Sequence, residues 1–221
     1  MSGAGRSPLP DSPLTRAIQV LTGRPASPEE RARFRRYRDL LLQWNRTHHL
    51  TAHRSAVAIE RGLFVDSLLF LPLLPSRPCI GLDIGAGAGI PGVPLRIVEP
   101  GIRLSLIESR RKAVSFLKAL TRELGLEDVS VIEGRAEVVA EEVPDLLGKF
   151  DFVTSRAVGD FPALIPVALR FLTPGGVFLA SGPPGDKLPE INRLGVTVQW
   201  RVLPYPALGM RRAFLVAKKP A

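Results

Sequence analysis

The sequence predicts an α/β fold: a mostly parallel seven-stranded sheet with helices on both faces, preceded by an N-terminal helical extension. Three observations carry that reading. From residue 79 onward, short β-rich runs alternate with helical stretches, the pattern of a parallel sheet joined by crossover helices. The last two runs follow one another with only Pro- and Gly-containing links between them, which reads as a hairpin. Ahead of the alternation, apolar residues recur at spacings of three and four, the stripe of a helix buried on one side.

The elements follow in chain order. Residues 1–26 are rich in Gly, Ser and Pro at their start and read as a segment without fixed structure. Residues 27–75 form the helical extension. Ser27 is a good N-cap, Pro28 fits the first helical position and Glu30 completes a capping box. Behind them Phe34, Tyr37, Leu40, Leu41 and Trp44 make one apolar stripe. A second helix is expected over 55–70, ending before Pro72. The α/β core then spans 76–221. Strands are expected at 79–84, 103–108, 129–133, 150–155, 177–180, 196–203 and 213–218. Helices are expected at 93–98, 110–124, 136–142, 161–171 and 187–193.

Composition bounds the partners. Thirty basic residues against 21 acidic leave a net charge of +9. Residues 1–62 hold eleven arginines and five acids, so +6 of the surplus lies in little more than a quarter of the chain. Such a surplus is an argument about partners, with phosphate-rich ones first and an anionic membrane second. Arginine offers a planar fork suited to phosphate, although arginine-rich usage also follows genome composition. Arg31, Arg35 and Arg38 fall off the apolar stripe and are the candidate substrate-binding charges. No run approaches the roughly 18 apolar residues of a membrane span, and residues 1–13 carry no apolar stretch of a signal peptide. A cytoplasmic protein is expected. A single cysteine, Cys79, excludes a disulfide framework and a Cys-rich zinc site, and three histidines leave little for a metal cage. No metal is expected. With no heptad and no long exposed apolar edge, a monomer is expected.

The sharpest motif is the run from Leu82 to Gly92, LDIGAGAGIPG, in which a buried strand enters three alternating glycines, Gly85, Gly87 and Gly89. Glycines there let a ligand approach the backbone at dihedral angles that other residues resist. The spacing is G-x-G-x-G, not the G-x-G-x-x-G of dinucleotide loops. Asp83, two residues before the first glycine, would repel a pyrophosphate and attract a cationic amino-acid end. S-adenosylmethionine has such an end. Glu108 closes the second strand, where an acid takes ribose hydroxyls or, alternatively, caps the next helix. Ala136 and Glu137 follow the third strand, on the side where a base would lie; Glu137 also suits a helix start. Arg156 ends the fourth strand, facing the crevice or paired in a salt bridge.

Seven strands in this order with a terminal hairpin resemble the Rossmann-like class I methyltransferases. The reaction is narrowed by what the sequence lacks. Strand four has no Asp/Asn-Pro-Pro-aromatic run for gripping an amino group, and Cys79 lies at the wrong end of its strand for a nucleophile at the crevice. What remains is an acceptor already nucleophilic, in need of orientation more than of a base. Guanine N7 is one.

The run LDIGAGAGIPGVPL, with Trp44-Asn45, Leu50-Thr51-Ala52 and Asp66-Ser67-Leu68 before it, resembles the ribosomal RNA small subunit methyltransferase G family, also called glucose-inhibited division protein B. Glu108-Ser109, Lys112, Phe116-Leu117, Gly134 to Glu137 and Ser155-Arg156-Ala157 continue the likeness, which covers roughly 30–180. The resemblance implies S-adenosylmethionine-dependent methylation of N7 of a guanine in the 530 loop of 16S rRNA, as naked RNA or in an assembling small subunit. It implies that Gly85, Gly87 and Ile90 line the cofactor, Ala136 and Glu137 meet its adenine, and Arg156 floors the crevice. The sequence departs from the family at Leu63, where histidine is common, and at Ser181, where lysine is common; His48-His49-Leu50-Thr51 replaces its usual charged-Ile-Asn-Leu-Thr run. Two other readings stand beside this one. A diverged paralogue would bind S-adenosylmethionine or RNA with altered substrate or no turnover. A small-molecule methyltransferase would have no use for the +6 segment.

Overall fold

The computed structural model describes residues 12–156, 161–182 and 195–221. The helix expected over 187–193, residues 1–11 and Ala157 lie outside them. The strands are β1 (Cys79–Ile84), β2 (Ile102–Glu108), β3 (Val129–Glu133), β4 (Phe150–Arg156), β5 (Leu172–Ser181), β6 (Thr197–Tyr205) and β7 (Met210–Lys218). They form one sheet in the order β3-β2-β1-β4-β5-β7-β6. β1 runs parallel to β2 and β4, as do β3 to β2 and β5 to β4. β7 is antiparallel to both β5 and β6. The hairpin read from the sequence is therefore present, inserted with β7 inside and β6 at the edge.

Strand alternation gives each face its own core. Leu104, Leu106, Phe152, Leu179 and Phe214 bury on one face; Ile107, Val153, Phe178, Ala180 and Leu215 bury on the other. Helices α7 (Ala136–Glu142) and α8 (Phe161–Phe171) cover the second face. The first is covered by α5 (Gly92–Val98), α6 (Arg111–Glu123) and the whole N-terminal helical segment. Residues 27–75 thus share one core with the sheet and do not pack as a separate unit. Phe64 shows the coupling: it is fully buried, with its ring 5.2 Å from Phe34 and 4.7 Å from Tyr37. Truncating such a side chain costs about 3–5 kcal/mol.

Two N-terminal features differ from the expectation. Residues 13–22, placed by composition in a loose segment, form α1 (Pro13–Thr22). Ser12 caps it by accepting from the Thr15 amide at 3.2 Å, Pro13 stands in the first turn, and Leu14, Ala17 and Ile18 are buried. Gly23, at φ 74°, ends it. After α2 (Pro28–His48), the helix expected over 55–70 is a composite. α3 (Ala56–Ile59) passes into a π-helical turn (Glu60–Val65) and then α4 (Asp66–Leu68). The wider turn shifts the faces of the helix, and it directs Gly62, Leu63 and Asp66 to the carboxyl ends of β1 and β4.

Candidate active site

The strand order reverses between β1 and β4, and the carboxyl ends there open a crevice where ligands of such sheets bind. A cavity of about 460 Å³ lies at this point. Gly85, Ala86, Gly87, Ala88, Ile90, Glu108 and Arg110 line one side; Leu50, Thr51, His53, Leu63 and Arg156 line the rest.

The glycine loop is held on every side. The Gly85 and Ala86 amides donate to the Ile107 carbonyl at 2.9 and 3.1 Å, which ties the loop to the end of β2. Gly85 and Gly87 have φ of 72° and 55°, values that L side chains resist. A Cβ on Gly87 would stand beside the Arg110 guanidinium and the Glu108 carboxylate, 3.4 and 3.9 Å away. From below, the Tyr37 hydroxyl donates to the Ala88 carbonyl, so α2 carries the loop on its buried stripe.

Glu108 is tied to the glycine loop and to the residue that precedes α6. Its side chain is buried, with Oε2 accepting from the Gly87 amide at 2.7 Å and Oε1 from the Arg110 amide at 2.9 Å. The carboxylate therefore caps the start of α6 and braces the glycine loop while still facing the cavity.

Asp83 does not line the cavity. It is fully buried beneath the loop, accepting from the Gly92 amide at 2.9 Å and the Thr154 hydroxyl at 3.1 Å. Burial pushes its carboxyl up to about 7, against the pull of those two hydrogen bonds. In place of the attraction expected toward a cationic ligand end, the structure shows a bracing role, because strand alternation turns the side chain to the face covered by α5, against the Gly92 amide.

Arg156 is held in a clamp. Its Nε lies 3.1 Å from Asp66 Oδ2 and its guanidinium donates to the Gly62 carbonyl at 2.7 Å. Arg212 from β7 binds the other oxygen of Asp66. Asp66 is 2 % exposed, so this is an interior pairing that fixes Arg156 at the cavity floor, not a surface salt bridge. Desolvation lowers the Arg156 and Arg212 guanidinium pKa values from the usual arginine level.

Other predicted residues lie elsewhere. Ala136 is buried in the second core, and Glu137 is exposed at the start of α7; neither lines the cavity. Their turn adjoins it, since the Gly134 amide donates to the Glu108 carbonyl at 3.0 Å. Arg31, Arg35 and Arg38 are on α2, outside the cavity wall. Arg31 donates to the Ala26 carbonyl, and Arg38 pairs with Asp39 and Glu60, while Arg35 is exposed. Ser181 is buried beside Arg156 in the register of β4 and β5. Cys79 sits at the far end of β1. Among the described residues no three His, Cys, Asp or Glu side chains gather as a metal site, and no helix is long and apolar enough to cross a membrane.

The sequence placed Asn45, Leu50 and Thr51 within the family likeness but gave the loop after α2 no role at the site. Asn45, 3 % exposed, donates to the Thr51 and His53 carbonyls and accepts from the Thr51 amide, at 2.9–3.1 Å. All of its donors and acceptors serve that loop, which brings Leu50, Thr51 and His53 to the cavity.

The sheet order, the reversed β7 and the glycine loop with its acid at the end of β2 define the fold of the Rossmann-like class I methyltransferases. A solved structure of this kind, precorrin-6y C5,15-methyltransferase from Geobacter metallireducens, superposes with a TM-score of 0.51 at 19% identity, over 72% of this chain and 89% of that one. Residues 30–184 match the family model described as rRNA small subunit methyltransferase G, and the chain belongs to that family. Ribosomal RNA small subunit methyltransferase G of Lactococcus lactis is 39% identical over 149 residues, 66% of this chain and 62% of the relative. Its namesake from Acetivibrio thermocellus is 35% identical over 152 residues, 69% and 62%. The chain thus spans about 62% of the length of these relatives.

Proposed function

We propose that this chain is an S-adenosylmethionine-dependent methyltransferase that modifies N7 of a guanine in small-subunit rRNA, in the 530 loop, acting as a monomer in the cytoplasm. The observation that carries the proposal is the two-sided cavity, with a glycine cradle and a carboxylate on the sheet side and the helical segment's loop facing it.

The residues present fit the cofactor. Gly85 and Gly87 hold the left-handed backbone of the cradle without side chains, and Glu108 offers carboxylate oxygens to a ribose diol. Ile90 gives an apolar wall, and with the cofactor bound the Ala136–Glu137 turn would adjoin its adenine and Arg156 would floor the crevice. When bound, S-adenosylmethionine supplies an electrophilic methyl group on a sulfonium. The protein's own work is orientation and exclusion of water. Guanine N7 carries no proton, so no general base is needed, and a rigid cavity floor contributes by fixing the approach. Family membership supports rRNA as the substrate, and the basic surface supports binding of a polyanion. Arg35, Arg54 and Arg111 are exposed and meet phosphates; Arg31 and Arg38 join them by exchanging their present partners.

Calorimetry tests the cofactor. S-adenosylmethionine or its demethylated product is expected to bind, with NAD silent; NAD binding of comparable strength would overturn the assignment. Transfer of a labelled methyl group to unmodified small-subunit rRNA tests the acceptor.

A further inference from the structure

The wall opposite the glycine cradle comes from the segment before the sheet, and its one imidazole has a purpose-built seat. Leu50, Thr51, His53 and Leu63 form that wall. Thr51 Oγ1 accepts from the His53 amide at 3.2 Å, and the two leucines are apolar. Asn45 fixes the backbone on both sides, holding the His53 carbonyl at 3.1 Å. The His53 ring itself has no hydrogen-bond partner among the described residues, although it is only partly exposed. It lies against Gly62 in the π-helical turn, where a Cβ would stand 2.6 Å from its Cε1 and 2.8 Å from its Nε2. Any residue but glycine at 62 would force the ring to shift from this seat. The same Gly62 offers its carbonyl to Arg156 at 2.7 Å, so the seat is tied to the cavity floor.

Resting on the nucleobase reading above, we propose that His53 is a substrate-positioning and specificity residue whose ring N–H meets the carbonyl oxygen next to the attacking nitrogen, O6 of guanine. The cradle side holds the cofactor, so a group on the facing wall meets the acceptor. An imidazole presents at least one N–H in either protonation state. On the edge that carries N7, guanine shows two acceptors, whereas adenine shows a donor at position 6. A donor from the protein therefore accepts guanine and rejects adenine. The reaction leaves His53 with no proton to move. The lone pair of N7 forms the new bond to carbon as the sulfur–methyl bond breaks, and that bond's electron pair stays on sulfur.

The test uses the full chain, small-subunit rRNA from cells lacking this protein, labelled S-adenosylmethionine, and calorimetry with its demethylated product. Filter binding of the rRNA in the presence of that product gives a readout separate from turnover. His53→Ala is expected to lower kcat/KM for rRNA about tenfold to a hundredfold, one well-placed base contact. It should weaken specific rRNA binding and leave the product's affinity within about twofold, the reach of an indirect effect. His53→Gln, which keeps an N–H donor, should recover part of the loss. Gly62→Ala, which evicts the ring without touching its chemistry, should reproduce the His53→Ala defect. An unchanged kcat/KM in folded His53→Ala or Gly62→Ala, or a parallel loss of product affinity, would overturn the proposal alone. No transfer by the wild-type protein would remove the nucleobase reading and this proposal with it.

Discussion

Replacing Glu108 with alanine separates bracing from binding. The carboxylate now holds the Gly87 amide at 2.7 Å, the Arg110 amide at 2.9 Å and the Arg110 Nε at 3.3 Å. Its removal leaves two backbone donors at the cavity edge without their acceptor, a cost to stability of about 1–3 kcal/mol for each that water fails to reach. Ligand binding is weakened separately. Two ribose hydroxyls on a carboxylate make charge-assisted bonds of about 1.5–3 kcal/mol each. They share oxygens with the existing donors, so the net falls below that sum, and about 1.4 kcal/mol, one factor of ten in Kd, is the least expected. The assay is calorimetric titration with the demethylated cofactor on wild type, Glu108→Ala and Glu108→Gln, each paired with a thermal melt. The account predicts an affinity drop of at least about tenfold in a folded Glu108→Ala protein, with Glu108→Gln between the two. An affinity unchanged within about twofold in a folded variant would refute the ribose role and leave Glu108 as a brace for the loop and a cap for α6.

Three further outcomes follow from the geometry. Asp83 has a carboxyl raised from the usual 3.8 to about 7 in the folded chain, so its contribution is fully present below pH 3.8 and is lost as pH rises through about 7; urea midpoints of wild type should fall over that window relative to Asp83→Asn, and parallel curves would contradict this. Asn45→Ala strips three hydrogen bonds from the 51–53 loop and should cost about 1–3 kcal/mol while lowering methyl transfer to rRNA more than cofactor affinity; equal loss in both would show that the loop serves the cofactor. If phosphates meet the exposed arginines, replacing Arg54 and Arg111 with Gln should flatten the slope of log affinity against log salt by about 0.7 per lost contact. Arg31 and Arg38, already engaged, should change it less than Arg35 in the same rRNA-binding assay.

Features with a local signature were legible in the sequence, and features made by distant partners were not. All seven strands follow from apolar runs between turn signals, and the glycine loop follows from positions that require positive φ. Glu108 was readable because the end of a strand and the start of a helix are both local. Asp66 was not, since its partners Arg156 and Arg212 arrive from β4 and β7, with Arg212 146 residues away in the chain. Asp83 was visible as an acid near the loop, yet only the pleat of β1 decides that it points beneath. The apolar stripe of α2 shows which residues are buried; that Glu60 comes to Arg38 depends on how α3 and the π turn pack. The π turn has no periodic signature of its own, so Gly62 and the seat it gives His53 were invisible. The segment 13–22 was hidden by the glycines and prolines around it, although Leu14, Ala17 and Ile18 already mark a helical face.

The most direct test of the central claim is a map of N7-methylguanine in the small-subunit rRNA of cells with and without this protein. The account predicts one guanine, in the 530 loop, that carries the methyl group in the parent, loses it when the protein is removed, and regains it with the wild-type chain and to a lesser extent with Glu108→Ala at equal abundance. An identical methylation map in cells with and without the protein would contradict the assignment of this cavity to guanine N7.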